Sequence, residues 1–215
     1  MKTTIRCQAL RARLNLTAEE VKDKSRRIAR RLFSLPEFKR SRTVMFYVSR
    51  PEEVDTHRMI RSALRAGYRV AVPLTRVKGE KIVPVLVDDL DGDLSLGRWG
   101  ILEPSSPKRA IPPREIDLVV LPGVAFDCRG NRVGRGLAFY DDFLIKISPQ
   151  TGRIALAFEE QVYREVPSCD HDVPMTKVVT EKRVIDCREE AQTSGPVRIN
   201  PPSPVRNVKQ RGEST

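Results

Sequence analysis

The chain has 215 residues, 40% hydrophobic and 31% charged, and 39 basic against 28 acidic side chains leave a net charge of +11. That size suits one large domain, the composition is neither collagenous nor wholly disordered, and the basic balance favours anionic partners: phosphates, polyanionic small molecules or nucleic acid. No apolar run approaches the roughly 18 residues that cross a bilayer, and the first residues, MKTTIRCQALRARL, carry charge where a secretory leader is apolar, so the expected compartment is the cytoplasm.

Thr17 to Leu35 reads as a helix. Thr17 and Glu20 have capping-box spacing, Val21, Ile28, Ala29 and Leu32 follow the helical period, and Pro36 ends it. Its many Lys and Arg residues read as a solvated face. The run Thr43 to Val48 is apolar, β-branched and aromatic, as in a buried strand. A helix over Thr56 to Ala66 follows, with Gly67 as its stop, and then a strand over Arg69 to Pro73. This β-α-β order implies parallel strands. Ile82 to Val87 reads as an edge strand, because Pro84 cannot donate to a ladder. The stretch from Asp88 to Arg114 is loop-rich. Ile116 to Leu121 has no polar face beyond Asp117 and should be a central strand. A helix over Tyr140 to Ile147, a strand over Arg153 to Phe158, and short strands over Lys177 to Val179 and Arg183 to Ile185 complete the pattern. The reading is one three-layer α/β domain over residues 1–187 with a largely parallel sheet, Rossmann-like in class. Residues 188–215 lack apolar periodicity and read as a disordered tail.

The four cysteines have no CxxC spacing, so buried free thiols are expected in place of a disulfide framework or zinc site. His57 and His171 are the only histidines, and neither stands in a nucleophile motif. The chemistry is therefore expected to run on other groups.

The segment Leu121 to Leu144, LPGVAFDCRGNRVGRGLAFYDDFL, joins a buried strand to a helix through Gly130, Gly134 and Gly136. Such a turn can bring backbone N–H groups onto a phosphate. Arg132 and Arg135 add cationic forks that match phosphate oxygens, and Asp141 in the first helical turn suits a magnesium ion bridging phosphates. The GxxxxGK[ST] loop is absent, and Phe139 stands where the dinucleotide fingerprint needs glycine. By spacing alone the segment is a phosphate loop or a plain chain reversal.

The same segment resembles the signature of the 5-formyltetrahydrofolate cyclo-ligase family. Pro122, Gly123, Phe126, Asp127, Gly130, Arg132, Gly134, Gly136, Tyr140, Asp141 and Leu144 match it. Further family-like stretches follow the right order: Lys2-Thr3-Thr4-Ile5-Arg6, Glu53-Val54-Asp55-Thr56, Trp99 to Pro104, Ile154 to Asp172, and Val179-Thr180-Glu181. The likeness runs from residue 2 to about 186.

The resemblance implies ATP- and magnesium-dependent cyclisation of 5-formyltetrahydrofolate to 5,10-methenyltetrahydrofolate, by phosphorylation of the formyl oxygen and attack of N10. It implies that Lys2, Thr3, Thr4, Ile5 and Arg6 bind ATP, together with Arg132, Val133, Gly134, Arg135, Gly136, Leu137, Ala138, Phe139 and Tyr140. Of these, Arg132, Arg135 and Tyr140 would take part in catalysis. Val48, Glu53 and Trp99 would contact the folate, with Arg135, Gly136 and Phe139. Asp141 and Asp172 would hold Mg2+. Nucleic acid is not an expected partner, and a monomer is expected. One departure stands out: the family usually has Gly or Lys, then Gly and Tyr, where this chain has Leu137, Ala138 and Phe139. Ala138 is costly if the backbone needs a positive φ there. A non-catalytic relative that binds nucleotide, folate or RNA through its basic surface is the alternative, and a sugar-phosphate or thioester enzyme of similar fold is a weaker third.

Overall fold

The structure, a computed structural model, describes residues 2–76, 82–97, 100–136, 138–169 and 171–188. The predicted tail lies outside the described residues except for Arg188, as do Trp99 and Leu137.

The centre is a seven-stranded sheet. In chain order its strands are β1 (Thr43–Phe46), β2 (Arg69–Thr75), β3 (Ile82–Val87), β6 (Leu118–Leu121), β9 (Gly152–Leu156), β10 (Lys177–Val179) and β11 (Val184–Asp186). Their spatial order is β11-β10-β9-β6-β1-β2-β3. The five inner strands are parallel, and both edges are antiparallel. The apolar runs explain the interior position of β1 and β6, whose residues are all buried. Alternation splits each strand between two cores. Val44, Phe46, Leu118 and Val120 face one cluster, while Met45, Val119 and Leu121 face the other.

The first core is covered by α2 (Ala18–Ser34), α3 (Pro36–Arg40) and α4 (His57–Arg65). The predicted capping box is present: Thr17 accepts from the Glu20 N–H at 3.2 Å, and Glu20 accepts from the Thr17 N–H at 2.8 Å. α6 (Phe139–Leu144) lies on the second core through Phe143 and Leu144. A third, smaller core joins α1 (Lys2–Leu14) to a hairpin of β7 (Ala125–Phe126) and β8 (Arg132–Val133), through Ala9, Val124, Ala125 and Val133. Three layers around one largely parallel sheet are what the sequence pattern predicts.

Three local outcomes differ. The N-terminal segment is a helix, α1, although only Ile5, Ala9 and Leu10 supply it with apolar contacts. The stretch after Asp88 holds the short helix α5 (Leu90–Asp93) and a hairpin of β4 (Leu94–Leu96) and β5 (Leu102–Pro104). β1 stops at Phe46 because Thr56 takes over the backbone beyond it: its hydroxyl donates to the Tyr47 carbonyl at 2.7 Å and accepts from the Ser49 N–H at 3.0 Å. The four cysteines are free as expected, but Cys7 and Cys169 are exposed and not buried. Among the described residues no helix is long and apolar enough to cross a membrane.

Chain order places a crevice. From β1 the chain continues to β2 on one side, while β6, on β1's other side, leads to β9 and β10. The loops leaving the carboxyl ends of β1 and β6 therefore part, and ligands of doubly wound sheets bind at such a point.

The hairpin that reaches into this crevice is tied by Asp127. This carboxylate is 1% exposed and accepts from the N–H groups of Arg129, Asn131 and Val166 and from the Asn131 amide, all at 2.9–3.0 Å. Gly130 turns the hairpin at φ 85°, and a Cβ there would lie 2.5 Å from the Met175 carbonyl. Asp127→Ala should orphan several buried donors and lower the unfolding free energy by about 3 kcal/mol or more, at ~1–3 kcal/mol for each buried group left unpaired. Denaturant melts check this, and a loss below about 1 kcal/mol would contradict it.

Candidate active site

A cavity of about 480 Å3 occupies the crevice. Tyr47 and Val48 line it from the end of β1, and Pro122 and Gly123 from the end of β6. The turn after β6 is held by Gln161, whose amide donates to the Gly123 and Val124 carbonyls at 2.9 and 3.0 Å. Only glycine fits at 123, because a Cβ would sit 2.2 Å from the Phe126 ring. The lining mixes cations (Lys2, Arg6, Arg50, Arg132, Arg135), carboxylates (Glu53, Glu103, Asp141, Asp172) and an apolar surface that includes Val48, Ile82, Ile101 and Phe139.

Apart from Arg50, the cations arrive on two elements. Lys2 and Arg6 stand one turn apart on α1, so they share a face, and Ala9 on that face packs against the β7–β8 hairpin. Thr3 and Thr4 are exposed and do not line the cavity, while Ile5 packs in the third core. Arg132, Val133, Gly134, Arg135, Gly136, Ala138, Phe139 and Tyr140 all line it. The glycine-rich segment and the N-terminal helix, 128 residues apart in sequence, meet directly: Arg6 Nε donates to the Gly134 carbonyl at 2.9 Å.

Cations and carboxylates of the cavity pair with each other. Lys2 donates to Asp172 at 2.6 Å, which holds the ammonium above its usual pKa. Burial would raise Asp172, but Lys2 and the Cys169 N–H outweigh it and keep the carboxyl below its usual value. Arg132, whose side chain is nearly buried, donates to Asp141 at 2.6 Å and stacks over the Tyr140 ring at 5.8 Å. Its Nε–H meets no hydrogen-bond partner among the described residues. Arg135 donates to Glu52 at 2.9 Å and to Glu53 at 3.1 Å. Burial, aided by the Glu53 carboxylate, pushes the Tyr140 phenol well above its ordinary value, so Tyr140 is a proton donor in hydrogen bonds at neutral pH and not a base.

Arg13 and Glu52, neither singled out by the sequence reading, join this arrangement. Arg13, at the end of α1, lies 3.4 Å from Glu52 and 3.6 Å from Glu53. The available signal was spacing: Lys2, Arg6, Ala9 and Arg13 fall on one helical face. His57 is structural, with its Nε2 3.0 Å from the Ser49 carbonyl.

The departure at 138 has the suspected backbone. Ala138 adopts φ 52°, ψ 18° at the start of α6, and among the described residues it alone has a positive φ without being glycine. A left-handed alanine costs roughly 1–2 kcal/mol, and the extra unfolded-state freedom of glycine takes back about 0.4–1 kcal/mol. Ala138→Gly should therefore leave stability unchanged or slightly raised, whereas Ala138→Val should lower it. Equilibrium unfolding of both variants measures this; a loss above ~1 kcal/mol on going to glycine would contradict the strain argument.

Comparison with known proteins points to one family. The sequence profile of the 5-formyltetrahydrofolate cyclo-ligase family matches residues 1–181. The chain is 30% identical over 196 residues to a probable 5-formyltetrahydrofolate cyclo-ligase of Schizosaccharomyces pombe, covering 82% of this chain and 95% of that one. It is 30% identical over 171 residues to the 5-formyltetrahydrofolate cyclo-ligase of Escherichia coli K12, covering 79% and 94%. The solution structure of 5,10-methenyltetrahydrofolate synthetase from Aquifex aeolicus superposes with a TM-score of 0.77 at 31% identity, over 93% of this chain and 96% of that one. With its fold and most of its length in common with these proteins, the chain belongs to the 5-formyltetrahydrofolate cyclo-ligase family.

Proposed function

We propose that the protein catalyses the ATP-dependent cyclisation of 5-formyltetrahydrofolate to 5,10-methenyltetrahydrofolate, with release of ADP and phosphate. The observation that carries this reading is one cavity that sets Lys2, Arg6, Arg132 and Arg135 beside an apolar surface and a carboxylate, Glu53. A triphosphate needs the cations, and a flat folate ring with N–H donors needs the other two.

A formamide is a poor electrophile because its nitrogen donates into the carbonyl. In the proposed reaction the formyl oxygen attacks the γ-phosphorus, an O–P bond forms, and the bond to the β-phosphate oxygen breaks. N10 then bonds to the formyl carbon and loses its proton. The carbon–oxygen bond breaks, and phosphate leaves with its electron pair. Catalysis here is mostly positioning and charge neutralisation. Lys2, Arg6, Arg132 and Arg135 supply positive charge to the phosphates. Glu53 accepts hydrogen bonds from the ring, and Val48 and Phe139 flank it. Tyr140 donates from a phenol that stays protonated.

Magnesium fits this set of residues in one particular way. Among the described residues no group of three or more acidic, His or Cys side chains converges, which suits an ion held mainly by phosphate oxygens and water, with one or two carboxylates. Asp141 and Asp172 are those carboxylates, and the ion supplies neutralisation of the phosphate charge. We place the protein's work in the cytoplasm, as a monomer, on small molecules and not nucleic acid.

Incubation with 5-formyltetrahydrofolate tests the proposal by ultraviolet absorbance, because the methenyl product absorbs where the substrate does not. Product should form only with ATP and magnesium together. Binding of both ligands without product would instead favour a non-catalytic relative, a reading consistent with the strained Ala138. Asp141→Asn should lower turnover at least ~10-fold, equivalent to about 1.4 kcal/mol of transition-state stabilisation. Unchanged turnover across a magnesium titration would remove Asp141 from the site.

A further inference from the structure

Glu52 and Glu53 follow β1, and two arginines approach both. Arg135 is 2.9 Å from Glu52 Oε1 and 3.1 Å from Glu53 Oε1. Arg13 approaches the same two oxygens at 3.4 and 3.6 Å. The second oxygen of Glu53 accepts the Arg50 N–H at 3.1 Å. The two arginines differ in freedom. The Arg13 side chain is 2% exposed, whereas that of Arg135 is 40% exposed and stands between Gly134 and Gly136.

A guanidinium presents a planar fork of N–H donors to a carboxylate. The aminopyrimidine edge of a folate ring presents the same kind of fork, an amino group beside a ring N–H. Arg135 and Arg13 therefore crowd one oxygen of Glu53 while the Arg50 N–H bonds the other, and a folate fork would compete with Arg135 for this carboxylate. Arg135 also belongs to the segment that faces the phosphates of the proposed cosubstrate, and a triphosphate offers it more negative charge than two carboxylates already shared with Arg13.

We propose that Arg135 is an electrostatic latch that couples the two ligands: it closes on Glu52 and Glu53 when the cavity is free, and a bound nucleotide draws it onto phosphate and frees Glu53 for the folate. Glu52 sets how firmly the latch is held. Arg13 is a positioning residue, which keeps both carboxylates in place when Arg135 leaves. The proposal rests on the reading of this cavity as the site of ATP and formylfolate.

The test is equilibrium binding of 5-formyltetrahydrofolate to the full chain by calorimetry, with and without saturating magnesium β,γ-imido-ATP. Wild type should bind folate at least ~5-fold more tightly with the nucleotide, and by reciprocity the nucleotide more tightly with folate. Arg135→Ala should weaken nucleotide binding, yet strengthen folate binding when nucleotide is absent. A merely structural role would weaken both. Glu52→Gln should tighten nucleotide binding and shrink the coupling. Arg13→Met should weaken folate binding alone, with partial rescue in Arg13→Lys. A coupling below about twofold in wild type, or weaker folate binding by Arg135→Ala without nucleotide, overturns the latch. If wild type binds both ligands independently, the latch alone fails. If it binds neither, the functional reading fails with it.

Discussion

Lys2, Arg6, Arg50, Arg132 and Arg135 share one crevice, and carboxylates from elsewhere in the chain meet the charge of Lys2, Arg132 and Arg135: Asp172 for the first, Asp141 for the second, Glu52 and Glu53 for the third. An unpaired charge at a nearly buried position such as that of Arg132 would cost several kcal/mol. Pairing removes that cost without metal or nucleotide. It also means that Lys2, Arg132 and Arg135 already hold carboxylate partners, three of which, Asp172, Asp141 and Glu53, have a proposed second use toward metal or folate. Binding is then an exchange of partners. Its free energy is a difference between two paired states, which sharpens discrimination between a triphosphate and a smaller anion.

The fold supplies the exchange with rigid and movable members. Strand order parts the loops after β1 and β6, so Glu53 and Gly123 border one crevice. Asp127 and Gln161, both buried, bond the backbone on either side of β7 and keep the hairpin and its Arg132 in place. α1 docks on that hairpin through a small core, and brings Lys2, Arg6 and Arg13 to it from the far end of the chain. Among the described residues, the segment from Gly134 to Gly136 is tied by Arg6 and the two carboxylates, and the exposed side chain of Arg135 is the member best able to move.

Much of this was legible in the sequence for physical reasons. The apolar runs of β1 and β6 allow no exposed face, so they had to be central. Thr17 and Glu20 announce a helix start through hydrogen bonds that need only local spacing. Many residues of the signature segment, from Pro122 to Asp141, meet in the cavity because a strand, a short hairpin and a helix follow one another closely in the chain. What stayed hidden depends on contacts between distant residues. α1 has three apolar contacts spread through a charged segment, too few to mark an amphipathic face at sight. β4 and β5 are three residues long, and only their pairing reveals them. Arg13 and Glu52 look like ordinary surface charges; their importance lies in a meeting across 39 residues of sequence. Ala138 lies between these cases, since the suspicion of a positive φ came from comparison with a glycine, and the backbone bears it out at 52°.

The most direct test of the partner exchange is a crystal structure with magnesium β,γ-imido-ATP and 5-formyltetrahydrofolate both bound. The quantity to read is the separation of Arg135 from Glu53, 3.1 Å in the present structure. The account predicts that the guanidinium lies on phosphate oxygens and that the folate ring's N–H groups have replaced it on the carboxylate. An Arg135–Glu53 ion pair intact beside both bound ligands would contradict it.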